Sequence, residues 1–549
     1  MSEKTNTGSN IRNNNHVSFS GFWLKIWRGN PPGPLLLFIS TIIALLMTIP
    51  ILYVVRQSIG ASSSSWARLF NQRVPELLWN TLSLTFAVTA ATLLIGVSLA
   101  WIVHRTDLPG RKHWKWLLAT PLLIPPYIGA VTYIIIFGRS GWVRDLWNSN
   151  SFFVSNFGNY SLNIYSFLGV FFVLTMFTYP YIFLIVSAGI KKMNRNYEEA
   201  AKSLGLSSFQ TFLKVNIPLL RPAIGAGAIL VALYVLSDFG AIATLRYVTF
   251  TAAIYFQRAS FDMASASILS ILLIIITMVI LSIESRTKKK SKYTQSSNSF
   301  KKPSILKLGK WKYPALIYTS LVFFVSVILP LLVLIYWTRI GISMGAIDNR
   351  FFGFAFNSLK VSSIAALVSM LLAIPVVYIK SRNPSIISSV IEKLSYMGYA
   401  LPGVIVALGM IFVFNNHIQF IYGTYFMIIL AFIIRFLPQS MQAIDSSLSQ
   451  LSIRVDEAAR VLGYPPWMIM FKVILPNITP GVLAGGALVF VSAIKELPAT
   501  LMLRPPGFDT LAVRIYFEAN EAIYYLAAPA ALLIVLVSVI PLKYMLSKY

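Results

Sequence analysis

The sequence predicts an all-α, polytopic membrane protein of about twelve transmembrane helices, in two parallel-oriented six-helix halves related by a pseudo-twofold axis. Composition is the first reason: the 549 residues are 56% hydrophobic and 12% charged, whereas soluble domains are about 25% charged. The apolar stretches approach or exceed the roughly 18 residues of a membrane-spanning helix and lack the alternation of barrel strands. An internal repeat is the third reason.

The predicted spans divide the chain into four parts. These are a polar tail (1–34), a first half (35–284), a basic linker (285–312) and a second half (313–549). The predicted spans are 35–56, 80–103, 116–138, 164–190, 222–243 and 265–284 in the first half, and 314–337, 357–379, 393–414, 422–444, 479–499 and 523–546 in the second.

Basic residues outnumber acidic ones by 46 to 18, a net charge of +28. Membrane proteins retain Lys and Arg in their cytoplasmic loops, so we attribute the excess to topology and expect a lipid bilayer, not nucleic acid, as the partner. The linker 285–312 carries ten Lys or Arg and no Asp or Glu, and its polar core at 294–299 is typical of a flexible linker. Placing it in the cytoplasm after six spans puts both termini there too. The absence of cysteine excludes disulfides and thiolate metal sites.

The second half of the chain repeats the first. Matched residues near the start of each half are 277 positions apart, and later ones are 258 or 261 positions apart. The difference of 19 between 277 and 258 indicates an insertion in the first half around Gly141–Tyr160. Parallel repeats of this kind place a pathway at the interface between the halves. The matched segments include Asn80-Thr81-Leu82 with Asn357-Ser358-Leu359, Ile124-Pro125 with Leu401-Pro402, Asp238 with Glu496, Leu245-Arg246 with Leu503-Arg504, and Ile254-Tyr255-Phe256 with Ile515-Tyr516-Phe517.

A polar motif occurs once in each half, between long apolar stretches. Its copies are Glu199-Ala200-Ala201-Lys202-Ser203-Leu204-Gly205 with Lys214-Val215-Asn216-Ile217-Pro218, and Glu457-Ala458-Ala459-Arg460-Val461-Leu462-Gly463 with Lys472-Val473-Ile474-Leu475-Pro476. Each copy predicts two short helices separated by a glycine that takes positive φ. The second helix starts with a Ser207–Gln210 capping box in one copy and with Pro465-Pro466 in the other, and the final proline is expected to stop it.

The second helix of each copy presents large apolar side chains. The alternative is an amphipathic helix lying on the lipid surface, but equal spacing at equivalent places in both halves favours a docking surface. These apolar side chains are Phe209, Phe212 and Leu213 in the first copy and Trp467, Met470 and Phe471 in the second.

The doubled pattern of Glu-Ala-Ala, three residues, Gly, nine residues and apolar–x–apolar–Pro resembles the cytoplasmic loop of binding-protein-dependent ABC importer permeases. The resemblance covers nearly the whole chain from Leu35 and implies a type I importer permease with both membrane subunits fused, in the bacterial cytoplasmic (inner) membrane. In that family the loop forms a coupling helix that sits in a groove of a cytoplasmic ATPase. Copy one departs from the usual Ile-x-Leu-Pro ending at Val215-Asn216-Ile217-Pro218.

The resemblance assigns an ATPase-coupling role to twelve residues of the two motifs. They are Glu199, Ala200, Gly205, Phe209, Phe212, Pro218, Glu457, Ala458, Gly463, Trp467, Met470 and Pro476. The chain has no Gly-x-x-x-x-Gly-Lys-Ser/Thr segment to hold phosphates. We therefore expect a transport subunit and not an enzyme, with no cofactor of its own, and with ATP and Mg²⁺ on a separate ABC ATPase in two copies. Alternating access of the two halves is the implied mechanism.

Two segments on the outward side bear on the substrate. The stretches 236–247 and 495–511, above all Lys495-Glu496-Leu497-Pro498-Ala499-Thr500-Leu501, resemble those of ferric-iron permeases, whose partner is a periplasmic ferric-iron-binding protein. Related fused permeases carry thiamine, so thiamine, polyamine or another small solute remains an alternative substrate. An ATP-independent carrier or channel is a further alternative, and no nucleophile or metal-ligand cluster indicates an integral-membrane enzyme.

Ionisable residues inside the spans are the candidates for the translocation path, because charges in a membrane are costly. Fe³⁺ prefers oxygen ligands, so Asp238 and Glu496 are also candidate transient metal ligands. The structural alternative pairs Glu496 with Lys495 or another cation, and Asp238 with Arg246. For Arg435 we favour pairing between helices over contact with the substrate, and interfacial tyrosines commonly act as anchors. The candidate path residues are Asp238, Glu496, Arg435, Tyr247 and Tyr516.

Overall fold

The structure of the chain is a computed structural model that describes Trp27 and residues 31–290, 304–465 and 468–546. Within these residues the regular structure is helical, apart from one isolated β-bridge between Thr106 and Leu306. The predicted all-α class is therefore confirmed. The predicted polar core of the linker at 294–299 lies outside the described residues.

The first half alternates long apolar helices with short polar ones. A 3₁₀ turn at Thr120–Leu123 precedes α5, and a π-helical turn at Phe212–Asn216 joins α10 to α11. The helices are α1 (Pro34–Ile59), α2 (Ser63–Gln72), α3 (Val74–Arg105), α4 (Arg111–Leu117), α5 (Pro126–Phe137), α6 (Trp142–Ser149), α7 (Ser151–Phe157), α8 (Phe167–Lys191), α9 (Asn196–Ser203), α10 (Ser208–Thr211), α11 (Ile217–Ser237), α12 (Gly240–Thr244), α13 (Phe250–Ala259) and α14 (Met263–Lys290).

The second half follows the same order without the insertion. Its 3₁₀ turn lies at Met397–Ala400, and its π-helical turns lie at Phe324–Ile328 and Ile469–Ile474. The helices are α15 (Lys312–Phe323), α16 (Leu329–Ser343), α17 (Asn349–Arg382), α18 (Ile386–Tyr396), α19 (Gly403–His417), α20 (Tyr425–Leu448), α21 (Ile453–Val461), α22 (Leu475–Ile494), α23 (Pro498–Leu503), α24 (Leu511–Asn520) and α25 (Tyr524–Leu546).

Nine helices in the described part are long and apolar enough to cross a membrane, or eleven if each of two bent pairs counts as one span. Each bent pair breaks before a proline-led helix, with angles of 88° before α5 and 106° before α19. Ile124 and Leu401 are extended there, because the residue before proline avoids helical ψ. The sequence predicted about twelve spans; the last coincides with a shorter apolar helix at Tyr524–Val539.

Equivalent hydrogen bonds tie the start of the second long helix of each half to a later helix. Asn80 Nδ2 donates to Val248 O at 3.1 Å, and Asn357 Nδ2 donates to Asp509 O at 3.0 Å. The hydroxyl of the next residue accepts the first backbone N–H of the later helix: Thr81 Oγ1 that of α13 at 3.2 Å, and Ser358 Oγ that of α24 at 2.8 Å. The two halves therefore share local geometry as well as sequence pattern.

The first membrane helix of each half packs on the other half. Helix α1 lies against α17, α18 and α19, so closely that a Cβ at Gly409 would overlap the backbone of Pro50. Reciprocally, Tyr318 Oη of α15 bonds Ser98 Oγ of α3 at 2.8 Å, and Tyr133 Oη of α5 donates to Val325 O at 2.5 Å. This exchange holds the two halves together along their shared interface.

The insertion predicted in the first half forms two short helices. Helices α6 and α7 occupy the first-half segment in which the sequence placed the insertion.

The expectation that Pro218 and Pro476 stop the motif helix is wrong, because the helix continues from Ser208 to Ser237 and from Ile469 to Ile494. A proline lacks the N–H and crowds the preceding turn. A wide π-helical turn ends two residues before each proline, accommodates that loss and lets the helix continue.

Candidate coupling surface and buried polar centre

Both motif copies lie at the same end of the bundle, which we call the motif end. In each copy a short helix, α9 or α21, closes with a glycine at φ 82°. The N–H groups of Leu206 and Tyr464 turn back to Ala201 O and Ala459 O, both at 3.2 Å. Such a left-handed cap is a glycine position, which confirms the positive φ predicted for Gly205 and Gly463.

The helix that follows the glycine starts differently in the two copies. In copy one the capping box forms as predicted: Gln210 N donates to Ser207 Oγ at 3.2 Å and Ser207 N donates to Gln210 Oε1 at 3.0 Å. In copy two, Pro466 and Trp467 lie outside the described residues. The predicted role of Trp467 therefore stays a prediction.

The motif end exposes large apolar side chains in both copies. Phe209 is 70% exposed and Phe471 is 62% exposed, while Leu204 and the matched Leu462 are also open to solvent. Phe212 points inward instead, with its ring 4.6 Å from that of Trp101. Exposed apolar residues grouped in this way are typical of an interaction surface.

The other predicted coupling residues divide between this surface and its support. Glu199 is partly exposed and pairs with Arg195 at 2.7 Å, and Glu457 is exposed. Ala200 and Ala458 face solvent, whereas Met470 is half-buried. Each motif thus presents its Glu and its first Ala outward, next to the exposed apolar side chains.

Two buried ion pairs behind this surface were missed by the sequence reasoning. Arg105 of α3 binds Glu198 of α9 through both Nη atoms, at 2.5 and 2.7 Å. Arg382 of α17 binds Asp456 of α21, Nε to Oδ2, at 2.9 Å. The repeat contained the signal, because the arginines are 277 positions apart and the acids 258 positions apart.

A second group of ionisable residues lies near the interface of the halves. Arg435 of α20 forms an ion pair with Glu496, which also accepts the Ala499 N–H at 3.1 Å. Gly403 packs against both charged groups and leaves no space for a Cβ. The interhelical pairing expected for Arg435 is therefore present, and its partner is Glu496.

The first half places an uncharged residue opposite its carboxylate. Phe177, which matches Arg435, is buried against Gly129. Asp238 accepts the N–H groups of Ala241 at 3.1 Å and Ile242 at 3.3 Å, and so caps α12. Asp238 occupies the position in the first half that Glu496 occupies in the second.

The structural alternative for Glu496, pairing with Lys495 or another cation, is present with Arg435 as the cation, whereas the expected pairing of Asp238 with Arg246 is absent from the described residues. Arg246 stacks over the ring of Tyr165 at 5.4 Å and does not reach Asp238. Lys495 Nζ donates to Leu122 O at 2.9 Å, which joins the end of α22 to the 3₁₀ turn of the first half. Lys495 is therefore a contact between the halves.

The predicted path tyrosines pack against aromatic rings. Tyr516 is buried, with its ring 6.1 Å from that of Phe239 in the other half. Tyr247 is half-buried against Phe167 at 6.1 Å. In the described part of the chain, no three His, Asp or Glu residues come together as a metal site.

The comparisons with known proteins agree with the doubled motif. The family described as the inner membrane component of binding-protein-dependent transport systems matches residues 110–288 and again 367–546. The chain is 33% identical to the Fe(3+)-transport system permease protein FbpB 2 of Haemophilus influenzae, over 94% of this chain and 99% of that protein. It is 27% identical to the ferric transport system permease protein FbpB of Actinobacillus pleuropneumoniae, over 78% of this chain and 65% of that one.

The chain is also similar, at lower identity, to permeases of other transport systems. The sulfate transport system permease protein CysT of Escherichia coli is 26% identical over 36% of this chain and 69% of its own length. The similarity to CysT therefore corresponds to a single half, whereas the ferric permease matches both halves in one chain. The chain belongs to the inner membrane components of binding-protein-dependent transport systems, as a permease that carries both copies of the family domain on one polypeptide.

Proposed function

We propose that this chain is the permease of an ATP-driven importer that moves ferric iron from a periplasmic binding protein to the cytoplasm by alternating access. The observation that carries the proposal is the 33% identity to an Fe(3+)-transport system permease over 94% of the chain. The family works with a separate ATPase, and the two equivalent coupling motifs support that partnership here. Rocking of two halves about a shared interface is an established type of transition.

The motif end faces the cytoplasm in this proposal, and both termini lie on the same side. The support is the distribution of charge, because cytoplasmic loops of membrane proteins are rich in Lys and Arg. The basic residues near copy one are Lys191, Lys192, Arg195, Lys202 and Lys214. The opposite end, where α6 and α7 lie, would then receive the ferric-iron-binding protein.

Two ATPase copies, each with ATP and Mg²⁺, would occupy the two exposed surfaces, and the permease itself would need no cofactor. The support is that each half presents one exposed motif with the same glycine cap. Asp238 and Glu496 would act as transient oxygen ligands during passage, which suits a hard cation. The helix-capping contact of Asp238 and the ion pair of Glu496 hold both carboxylates in fixed orientations.

Uptake of radiolabelled ferric iron in cells with and without this chain tests the substrate. Loss of uptake on deletion, unaffected by excess unlabelled thiamine or sulfate, is the expected result. Unchanged iron uptake in a strain that lacks other iron importers would contradict ferric iron as the substrate. It would not affect the membership of the chain in the permease family. Inhibition by thiamine would favour the thiamine alternative.

We expect Gly205→Pro and Gly463→Pro to uncouple transport from ATP hydrolysis while the permease still inserts in the membrane. Proline fixes φ near −65°, whereas both glycines sit at φ 82°, and it removes the N–H groups that donate to Lys202 O and Arg460 O at 2.9 Å. A non-glycine residue in left-handed geometry costs about 1–2 kcal/mol. Uptake per hydrolysed ATP is the measurement.

Gly225→Ala is the matched control, because this helical glycine has open space around its Cβ position and ordinary φ. Full iron uptake by that variant is expected. Normal uptake by both proline variants would contradict the coupling role of the motif turn.

A further inference from the structure

The two buried ion pairs behind the motifs occupy equivalent places in the two halves. Arg105 and Arg382 are the last residues of α3 and α17, and their partners lie in the first turns of α9 and α21. The side chains are 1% and 6% exposed in the first pair and 5% and 4% exposed in the second. Removing one partner from such a pair leaves the other charge buried without a counter-charge, which is strongly destabilising.

Adjacent acids in each motif have opposite environments. Glu198 is buried and binds Arg105, while the next residue, Glu199, is partly exposed at the motif surface. In the second copy Asp456 is buried and Glu457 is exposed. Successive helical residues point about 100° apart, so each short helix has one acid for the anchor behind it and one for the docking surface in front.

The position of each charge suits the helix end that carries it. An arginine at a helix C-terminus and an acid in a first helical turn both complement the helix dipole. Each pair therefore joins the negative end of a long helix to the positive end of a motif helix. An aromatic residue at matched positions completes both sites: Trp101 stacks on Arg105 at 4.8 Å, and Tyr378 lies beside the second pair.

Both arginines also donate side-chain hydrogen bonds to backbone carbonyls. Arg105 Nε donates to Ser304 O at 3.2 Å, and Arg382 Nη2 donates to Leu451 O at 3.1 Å. In the first half the linker is fastened here as well, since Leu306 N donates to Arg105 O at 2.7 Å. Each guanidinium is thus fixed by several partners, which makes the joint stiff.

Hydrogen bonds also hold the N-terminal ends of α3 and α17. Asn80 and Thr81 bind the start of α13, and Asn357 and Ser358 bind the start of α24. Helix α3 and helix α17 therefore each run without interruption from a motif helix at one end to a helix of the opposite end.

We propose that the Arg105–Glu198 and Arg382–Asp456 ion pairs are the positioning contacts through which ATPase-driven movement of the motif helices reaches α3 and α17, and through them the opposite end of the permease. This inference rests on the proposed function for the ATPase that supplies the movement. The exposed acids Glu199 and Glu457 contact the ATPase, and the buried acids transmit its displacement. Loss of a buried pair leaves docking intact and interrupts transmission.

The absence of cysteine from the chain allows a direct measurement. Arg73→Cys and Arg350→Cys, at matched exposed positions near the outer starts of α3 and α17, carry spin labels in the full permease–ATPase complex. The distance between the labels is followed with and without ATP. In the parent protein ATP is expected to change this distance. Arg382→Met or Asp456→Asn is expected to abolish the change while the ATPase stays bound, with transport per hydrolysed ATP about tenfold lower.

Two further variants separate transmission from folding. The exchanged double variant Arg382→Asp with Asp456→Arg is expected to recover part of the ATP-dependent distance change that both single variants lose. Lys380→Met is the matched control, because Lys380 forms an ion pair with Glu392 at 2.8 Å at the same end but both side chains are 33% exposed. That variant is expected to keep the full distance change.

An ATP-dependent distance change that persists in Arg382→Met and Asp456→Asn would overturn the proposal. So would an exchanged double variant no better than the single variants, because a transmitting pair needs the two opposite charges in contact. The distance readout does not involve iron, so a parent complex that moves with ATP but transports no iron would refute the iron assignment alone.

Discussion

Arg435→Ala is expected to abolish iron uptake and to lower the stability of the permease. The substitution leaves the Glu496 carboxylate 8% exposed and without its cation, and breaking a buried ion pair in this way costs about 3–5 kcal/mol. A fall in the melting temperature of the purified protein, together with loss of uptake at matched expression, is the measurement. An unchanged melting temperature would contradict the importance of the Arg435–Glu496 pair for the fold.

A paired replacement separates the structural role of Glu496 from a role in transit. Apolar residues of similar volume often replace a buried ion pair without loss of stability, so Arg435→Met with Glu496→Leu is expected to restore the melting temperature. If Glu496 is a transient ligand of iron, uptake stays low in this stable double variant. Recovery of uptake would make Glu496 a structural residue and remove it from the proposed path.

The sequence predicted those features that depend on local composition and on the repeat. Apolar length located the membrane helices, and the spacing of Gly205 and Gly463 located the two helix caps. The capping box at Ser207 followed from its residue types alone. Each of these features is decided by residues within a few positions of each other, which is why a single sequence suffices for them.

Other features depend on residues far apart in the chain. Glu496 pairs with Arg435 and not with its neighbour Lys495, because the packing of α20 against the end of α22 decides which cation is near. The exchange of α1 and α15 between halves is equally invisible to local patterns. The π-helical turns before Pro218 and Pro476 follow from tertiary packing that keeps the helix continuous, whereas proline alone favours a stop.

The residues missed at the motif end show a different limit. Arg105 and Arg382 each lie two or three residues beyond the end of a predicted span (80–103 and 357–379), where Arg is expected on grounds of topology alone. Their partners precede the motif glutamates by one position. Because the motif pattern includes Glu199 and Glu457 and not their neighbours, the coupling role was predicted for Glu199 and Glu457. Only burial distinguishes an anchoring acid from a docking acid on the same helix.

Phe209→Glu with Phe471→Glu is expected to prevent the ATPase from co-purifying with the permease. These two side chains, one from each motif copy, are 70% and 62% exposed and would enter apolar grooves of the partner, where a carboxylate would be desolvated without a cation. Central apolar residues of an interface contribute about 2 kcal/mol or more each, a factor of about 30 in Kd per site. The ratio of ATPase to permease after affinity purification is the measurement.

Phe420→Glu is the matched control for that pair. Phe420 is 83% exposed and lies between α19 and α20, at the end of α20 opposite to the motif that follows it. Because Phe420 is more exposed than either motif phenylalanine, a charge at this position leaves the ATPase ratio unchanged if docking is confined to the motif end. Retention of two ATPase copies by the Phe209 and Phe471 double variant would place docking elsewhere. Loss of the ATPase in Phe420→Glu would instead reveal a general failure of folding, since the charge lies far from the proposed contact.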